Sequence, residues 1–113
     1  MSREGRLLLE DILEAARLAV SFVDGVTYET FAHSPEKIAA VERQLFIAGE
    51  AAAQLPESVR QLAPVVPWRG LIGMRNVLAH GSWKSDEETL WDTVTNELPV
   101  LIAELDRVRL VTD

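Results

Sequence analysis

The sequence predicts an all-α fold, an antiparallel helical bundle of four to five helices. Apolar residues return at every third or fourth position over long segments, which is the period of a helix with one buried face. Recognisable start and stop signals bracket those segments. Period-two alternation, Asn-Gly hairpin turns and internal repeats are all missing from the sequence, so nothing calls for a strand.

The first helix is expected from about Arg3 to Val23, with Leu8, Ile12, Ala16, Ala19 and Val23 on its apolar face and Gly25 ending it. Thr27 suits the N-cap of a short helix through Phe31, with Glu29 in the first turn. Ser34-Pro35 is a second start signal, a capping hydroxyl followed by a proline already set for the first helical position. The helix it opens carries Ile38, Val41, Leu45, Ala48, Ala52 and Leu55, steps of 3, 4, 3, 4 and 3 that suit a helix packed nearly antiparallel in a bundle. Pro56, Pro64 and Pro67 then leave room for one short helix, Glu57 to Ala63. A further long helix is predicted from Trp68 to a glycine stop at Gly81. The final one opens on a capping box, Ser85 with Glu88. Its apolar face is Leu90, Trp91, Val94, Leu98, Leu101, Ile102, Leu105 and Val108, and Pro99 should kink it near Thr95, whose carbonyl the ring would strike.

The chain's 113 residues suit a single domain spanning 1–113, and a hydrophobic content of 48% is enough for a real core. With no cysteine there is neither a disulfide framework nor a thiolate metal site. Glu10, Asp11 and Glu14 interrupt the region where a signal peptide would need an apolar run, and no segment approaches the ~18 apolar residues of a membrane span. The expectation is a cytoplasmic protein with no membrane association. A formal net charge of −7 excludes coating nucleic acid with the whole surface, so any such binding needs a local basic patch.

Few polar residues suggest chemistry. His33 and His80 lie far apart and neither has a glutamate three residues before it, so no metal or cofactor is expected. His33, beside Ser34-Pro35, reads as a solvated loop residue. Glu10, Asp11, Glu14, Glu87, Glu88 and Asp92 read as solvated helix faces, and Trp68 and Trp91 as packing aromatics. The stretch "RNVLAHGSW", residues 75 to 83, is different: it holds Arg75, Asn76 and His80 just before Gly81. Spacing alone favours a histidine that merely complements a helix C-terminus. Five residues also turn two side chains about 140° apart, so Arg75 and His80 could meet only at the helix end.

The longer string carries more information. "VPWRGLIGMRNVLAHGSW", preceded by "LFIAGEAAAQLPESVRQLAPVVPW" and followed by "ETLWDTVTNELPVLIAEL", resembles the HepT-like branch of the HEPN domains. "LEDILEAARLAVSFVDGVTYETF" resembles that family's first helix and turn, so the likeness covers nearly the whole chain. It implies a HEPN-like dimeric bundle and a metal-independent RNA endonuclease, the toxin of a pair whose antitoxin is a minimal nucleotidyltransferase. Arg75, Asn76 and His80 match the family's catalytic motif. One position departs: where the family carries a tyrosine that its partner adenylylates, this chain has Ser82, followed by Trp83.

RNA brings its own nucleophile, the 2′-hydroxyl. Histidine, with an ordinary pKa of about 6.5, can remove that proton at neutral pH. The permanently charged fork of arginine matches phosphate oxygens and can hold the transition state. Asn76 could orient the base, and a 2′,3′-cyclic phosphate with a 5′-hydroxyl would result. Flexible single strands or loops are the natural substrate. A two-fold dimer would bring two Arg75–His80 pairs to one cleft and gather Arg69, Arg75 and Lys84 as the RNA-binding basic patch. The alternative is a non-catalytic module that binds a nucleotidyltransferase or a nucleotide, with the same residues in a binding role.

Overall fold

The structure is a computed structural model that describes residues 1–79 and 86–112. Among the described residues there are helices and turns and no strand, as the periodicity predicts. Helix α1 (Arg3–Phe22) is capped by Ser2, whose hydroxyl accepts the Gly5 N–H at 3.0 Å. Gly25 follows with φ at +70°, a left-handed conformation that costs glycine little and other residues more. Thr27 caps α2 (Tyr28–Ala32) by accepting the Thr30 N–H at 3.2 Å. Ser34 caps α3 (Pro35–Gln54), accepting the Lys37 N–H at 3.2 Å, with Pro35 in the first turn. Both capping assignments made from the sequence hold.

Two boundaries differ and a third lies outside the described residues. The short helix α4 (Glu57–Arg60) is shorter than the predicted Glu57–Ala63. Beyond Arg60 the chain tightens into turns, with Leu62 and Ala63 donating to the carbonyls of Val59 and Arg60, and Pro64 has no N–H with which to continue. Helix α5 (Trp68–Ala79) starts where expected, while its predicted stop at Gly81 lies outside the described residues. The capping box on Ser85 is replaced: Asp86 caps α6 (Glu87–Asp92), its carboxylate accepting the Glu88 N–H at 3.1 Å. Aspartate is as good a cap as serine and stands one residue nearer, and Ser85 itself lies outside the described residues.

Pro99 acts where the sequence placed its effect. Between α6 and α7 (Leu98–Thr112) the chain widens into a π-helical turn, Thr93–Glu97, in which the Leu98 N–H reaches back to the Thr93 carbonyl. The wider turn gives room for the proline ring one residue later. Hydroxyls ease the irregularity: Thr93 donates to the Thr89 carbonyl at 2.9 Å and Thr95 to the Trp91 carbonyl at 2.6 Å.

One apolar core joins these elements. Val41, Leu45, Ala48 and Ala52 of α3 and Leu55 at its C-cap are all buried, and Leu90, Val94, Leu98, Leu101, Leu105 and Val108 meet them from the C-terminal helices. Fully burying such a leucine or valine contributes about 1.5–3 kcal/mol. The Trp91 ring centre lies 5.4 Å from that of the buried Phe31, tilted against it, and 5.9 Å from that of Tyr28, edge to face, which fixes α2 on α6. Trp68 donates to the carbonyls of Arg60 and Ala63 at 3.2 and 3.0 Å, closing the loop between α4 and α5. Both tryptophans are packing residues, as expected. Glu10 departs from its reading as a solvated acid, because Arg109 donates to its carboxylate at 3.2 Å and ties α7 to α1. Among the described residues, no helix is long and apolar enough to cross a membrane.

Candidate active site

Helix α5 carries the described part of the Arg75–Asn76–His80 motif, and its seating decides what those side chains can do. It lies against α3, where the crossing is set by Gly49. A β-carbon on Gly49 would stand 2.4 Å from Arg75 Cβ, closer than real contacts permit, and 3.0 Å from the Leu71 carbonyl oxygen, at the tight end of those that occur. The two backbones approach at this point only because Gly49 lacks a side chain. Leu71, one turn before Arg75, is buried in the same contact.

Arg75 therefore starts from the α3–α5 contact itself. Its Nε lies 3.1 Å from Glu50 Oε1, and the two side chains keep 26% and 43% of their surface exposed, so one flank of the guanidinium is engaged while part of the side chain stays open. Nε itself is buried, and its N–H is not aligned with any acceptor for a directed hydrogen bond, so Glu50 acts on it through charge.

Asn76 points elsewhere. Adjacent helical residues diverge by about 100°, and Asn76 is exposed on a second face together with Arg69, seven positions earlier. These two line an open groove of about 690 Å³ between α5 and the α4 loop, whose walls also include Arg60, Gln61, Trp68 and Ile72. Arg60 is held by Glu57 at 2.8 Å, whereas Arg69 is exposed and has no ion pair among the described residues. The structure thus brings Arg69 and Asn76 together and separates both from the Arg75–Glu50 contact by a turn of the helix face. His80, Ser82 and Lys84 lie outside the described residues.

Outside this region, His33 and Tyr28 each have an identifiable setting. His33 is exposed, with Nδ1 2.8 Å from the Glu29 carbonyl oxygen, which closes the end of α2. Tyr28 has its phenol pushed above its ordinary value near 10 by partial burial and by the carboxylates of Glu88, Glu87 and Asp86. Among the described residues, no three histidine or acidic side chains are grouped as around a metal ion. Sequence reasoning missed Gly49 and Glu50, which lie in a segment that reads one-dimensionally as ordinary helix. The "GE" pair carries no signal until α5 is laid across it.

Known proteins resemble the chain over most of its length. The family described as ribonuclease HepT-like matches residues 12–108. A Thermococcus cleftensis protein named probable ribonuclease HepT is 35% identical over 109 residues, covering 96% of this chain and 99% of that protein. Relatives in Methanocaldococcus jannaschii and Caldanaerobacter subterraneus, whose names class them provisionally as RNases, are 33% and 32% identical. They cover 94% and 91% of this chain, and 88% and 92% of their own lengths. No solved structure matches the chain.

Proposed function

The chain belongs to the ribonuclease HepT-like family and is an endoribonuclease, and we propose that it cuts RNA without a metal, using the RNA's own 2′-hydroxyl as the nucleophile. His80 takes the 2′-hydroxyl proton, Arg75 holds the phosphate as charge builds on its oxygens, and the products carry a 2′,3′-cyclic phosphate and a 5′-hydroxyl. The observation that supports this most is the seating of Arg75: its root is fixed by the Gly49 contact and one flank by Glu50, on the helix turn that leads in sequence to His80. Asn76 and Arg69, on the neighbouring face, supply hydrogen bonds and charge along the groove where the strand would lie.

A homodimer completes the site in this account. Of the large apolar side chains on α5, Leu71 is buried, Trp68, Ile72, Met74 and Leu78 pack partly against the core, and Val77 is left 45% exposed. A β-carbon on Gly73 would meet nothing within 4 Å, so that face of α5 is open to a second helix. Pairing two copies there covers Val77 and carries the two helix ends that lead in sequence to His80 toward one cleft, so that one histidine serves as base and the other as acid. The long side chain of each Arg75, rooted on the α3 side of its helix, reaches round toward that cleft. Arg69, Arg75 and Lys84 from both copies then provide a basic patch on a protein of net charge −7.

The chain is further proposed to act as the toxin of a pair silenced by a minimal nucleotidyltransferase. Serine is a poorer nucleophile than a phenol, so Ser82 would take adenylyl groups weakly or not at all, and inhibition would come mainly from the partner covering the cleft. Purified protein cutting a single-stranded RNA, with Arg75→Ala and His80→Ala inactive and fully folded, would support the catalytic reading. Equal binding and no cleavage by all three would support a non-catalytic binding module instead.

A further inference from the structure

We propose that Glu50 is the positioning residue for Arg75: it holds the Nε flank of the guanidinium so that the terminal nitrogens are presented to the scissile phosphate. The proposal rests on the catalytic reading of Arg75 and adds a residue that lies on another helix and outside the motif.

Arginine offers five N–H donors in a planar fork, divided between the Nε edge and the terminal end. Here the inner part of the side chain is spoken for. Cβ and Cγ lie against Gly49, and Nε is buried beside Glu50 Oε1 at 3.1 Å. By elimination, the exposed quarter of the side chain belongs mainly to the atoms beyond Nε, the end that can grip a phosphate bidentately. A long, free arginine would have to be ordered each time a substrate bound. One already held at its flank has less freedom to lose and meets the developing charge in place.

The small residue and the carboxylate work as a unit. Gly49 lets α3 approach until Glu50, the next residue, reaches Arg75; any side chain at Gly49 would push α5 away and open that distance. Stability does not explain the arrangement, because an ion pair with 43% of the Glu50 side chain exposed adds little to folding. Glu50 could instead mask Arg75 by neutralising it, and the two roles predict opposite signs when the charge is removed.

Glu50→Gln keeps the shape and helix propensity while deleting the charge. It should lower kcat for a single-stranded RNA about 10- to 100-fold, the scale on which misplacing a catalytic group is felt, with KM little changed. In an Arg75→Lys background, where the Nε edge is gone, the same substitution should add nothing, since residues acting as one unit are not additive. Increased turnover in Glu50→Gln would overturn the proposal in favour of masking, and so would an undiminished effect in the Arg75→Lys background. A readout independent of turnover is the ¹⁵N–¹H signal of Arg75 Nε, whose proton exchange should quicken in Glu50→Gln. A protein that shows this Glu50-dependent signal but cuts no RNA keeps the pair and loses the ribonuclease reading. A protein that cuts RNA, with signal and kcat both unaltered in Glu50→Gln, keeps that reading and loses the positioning role.

Discussion

A β-carbon at Gly49 would sit 2.4 Å from Arg75 Cβ, so the position of the candidate catalytic arginine depends on the absence of a side chain on another helix. Alanine at Gly49 has to separate α3 from α5, because neither β-carbon is the loose end of a flexible chain. Overpacking costs about 1–3 kcal/mol, against about 1 kcal/mol that alanine gains over glycine within a helix. Gly49→Ala should therefore be destabilised by up to about 2 kcal/mol in urea unfolding, and should lose RNA cleavage beyond what its folded fraction explains. Unchanged stability with full activity would show that the crossing is looser than this.

Tyr28 offers a test of the packing around α6. It is the single tyrosine of the chain, so an ultraviolet titration reads it alone. Its phenol should ionise above the ordinary value near 10, because partial burial and then Glu88, Glu87 and Asp86 disfavour the phenolate. A raised folded pKa favours the neutral form, so the associated stability is present below the unfolded pKa and is lost as pH rises through the folded one. Glu88→Gln should lower the observed midpoint; a midpoint that ignores the carboxylates would contradict the contact.

Arg69 should bind rather than catalyse. Arg69→Ala is expected to raise KM several-fold with kcat nearly constant. It should also flatten the dependence of log affinity on log salt by about 0.7 for each single-strand phosphate that the arginine neutralises. A fall in kcat with KM unchanged would move Arg69 into the chemistry instead.

The open side of α5 around Gly73 and Val77 predicts self-association. Light scattering at micromolar concentration should give the mass of two chains, and Val77→Asp should shift the mass toward one chain while reducing cleavage. A wild-type monomer that still cuts RNA would show that each copy carries a complete site.

The parts of the fold that were legible in the sequence are those fixed by near neighbours. Thr27 and Ser34 bond to N–H groups three residues ahead, and the α3 stripe from Val41 to Leu55 follows from the helical period. Pro99 located the irregular turn because the atom it displaces lies four residues back. The α1 face was read too narrowly: Leu9, Leu13 and Ala15 are also buried, because α3 and α7 both pack on it and a single seam cannot describe two contacts. The site was half legible. Arg75 and Asn76 are adjacent in the motif yet serve different faces of α5. The Glu50 contact joins residues twenty-five positions apart in sequence, which spacing within one helix cannot reveal.

The most direct test of the account is the chemical identity of the cut ends. A short single-stranded RNA incubated with the purified protein in excess EDTA, and analysed by mass spectrometry, should yield fragments with a 2′,3′-cyclic phosphate and a 5′-hydroxyl, and His80→Ala should yield none. Cleavage that stops in EDTA, fragments ending in a 5′-phosphate, or undiminished cutting by His80→Ala would contradict attack by the RNA's own hydroxyl under histidine and arginine control.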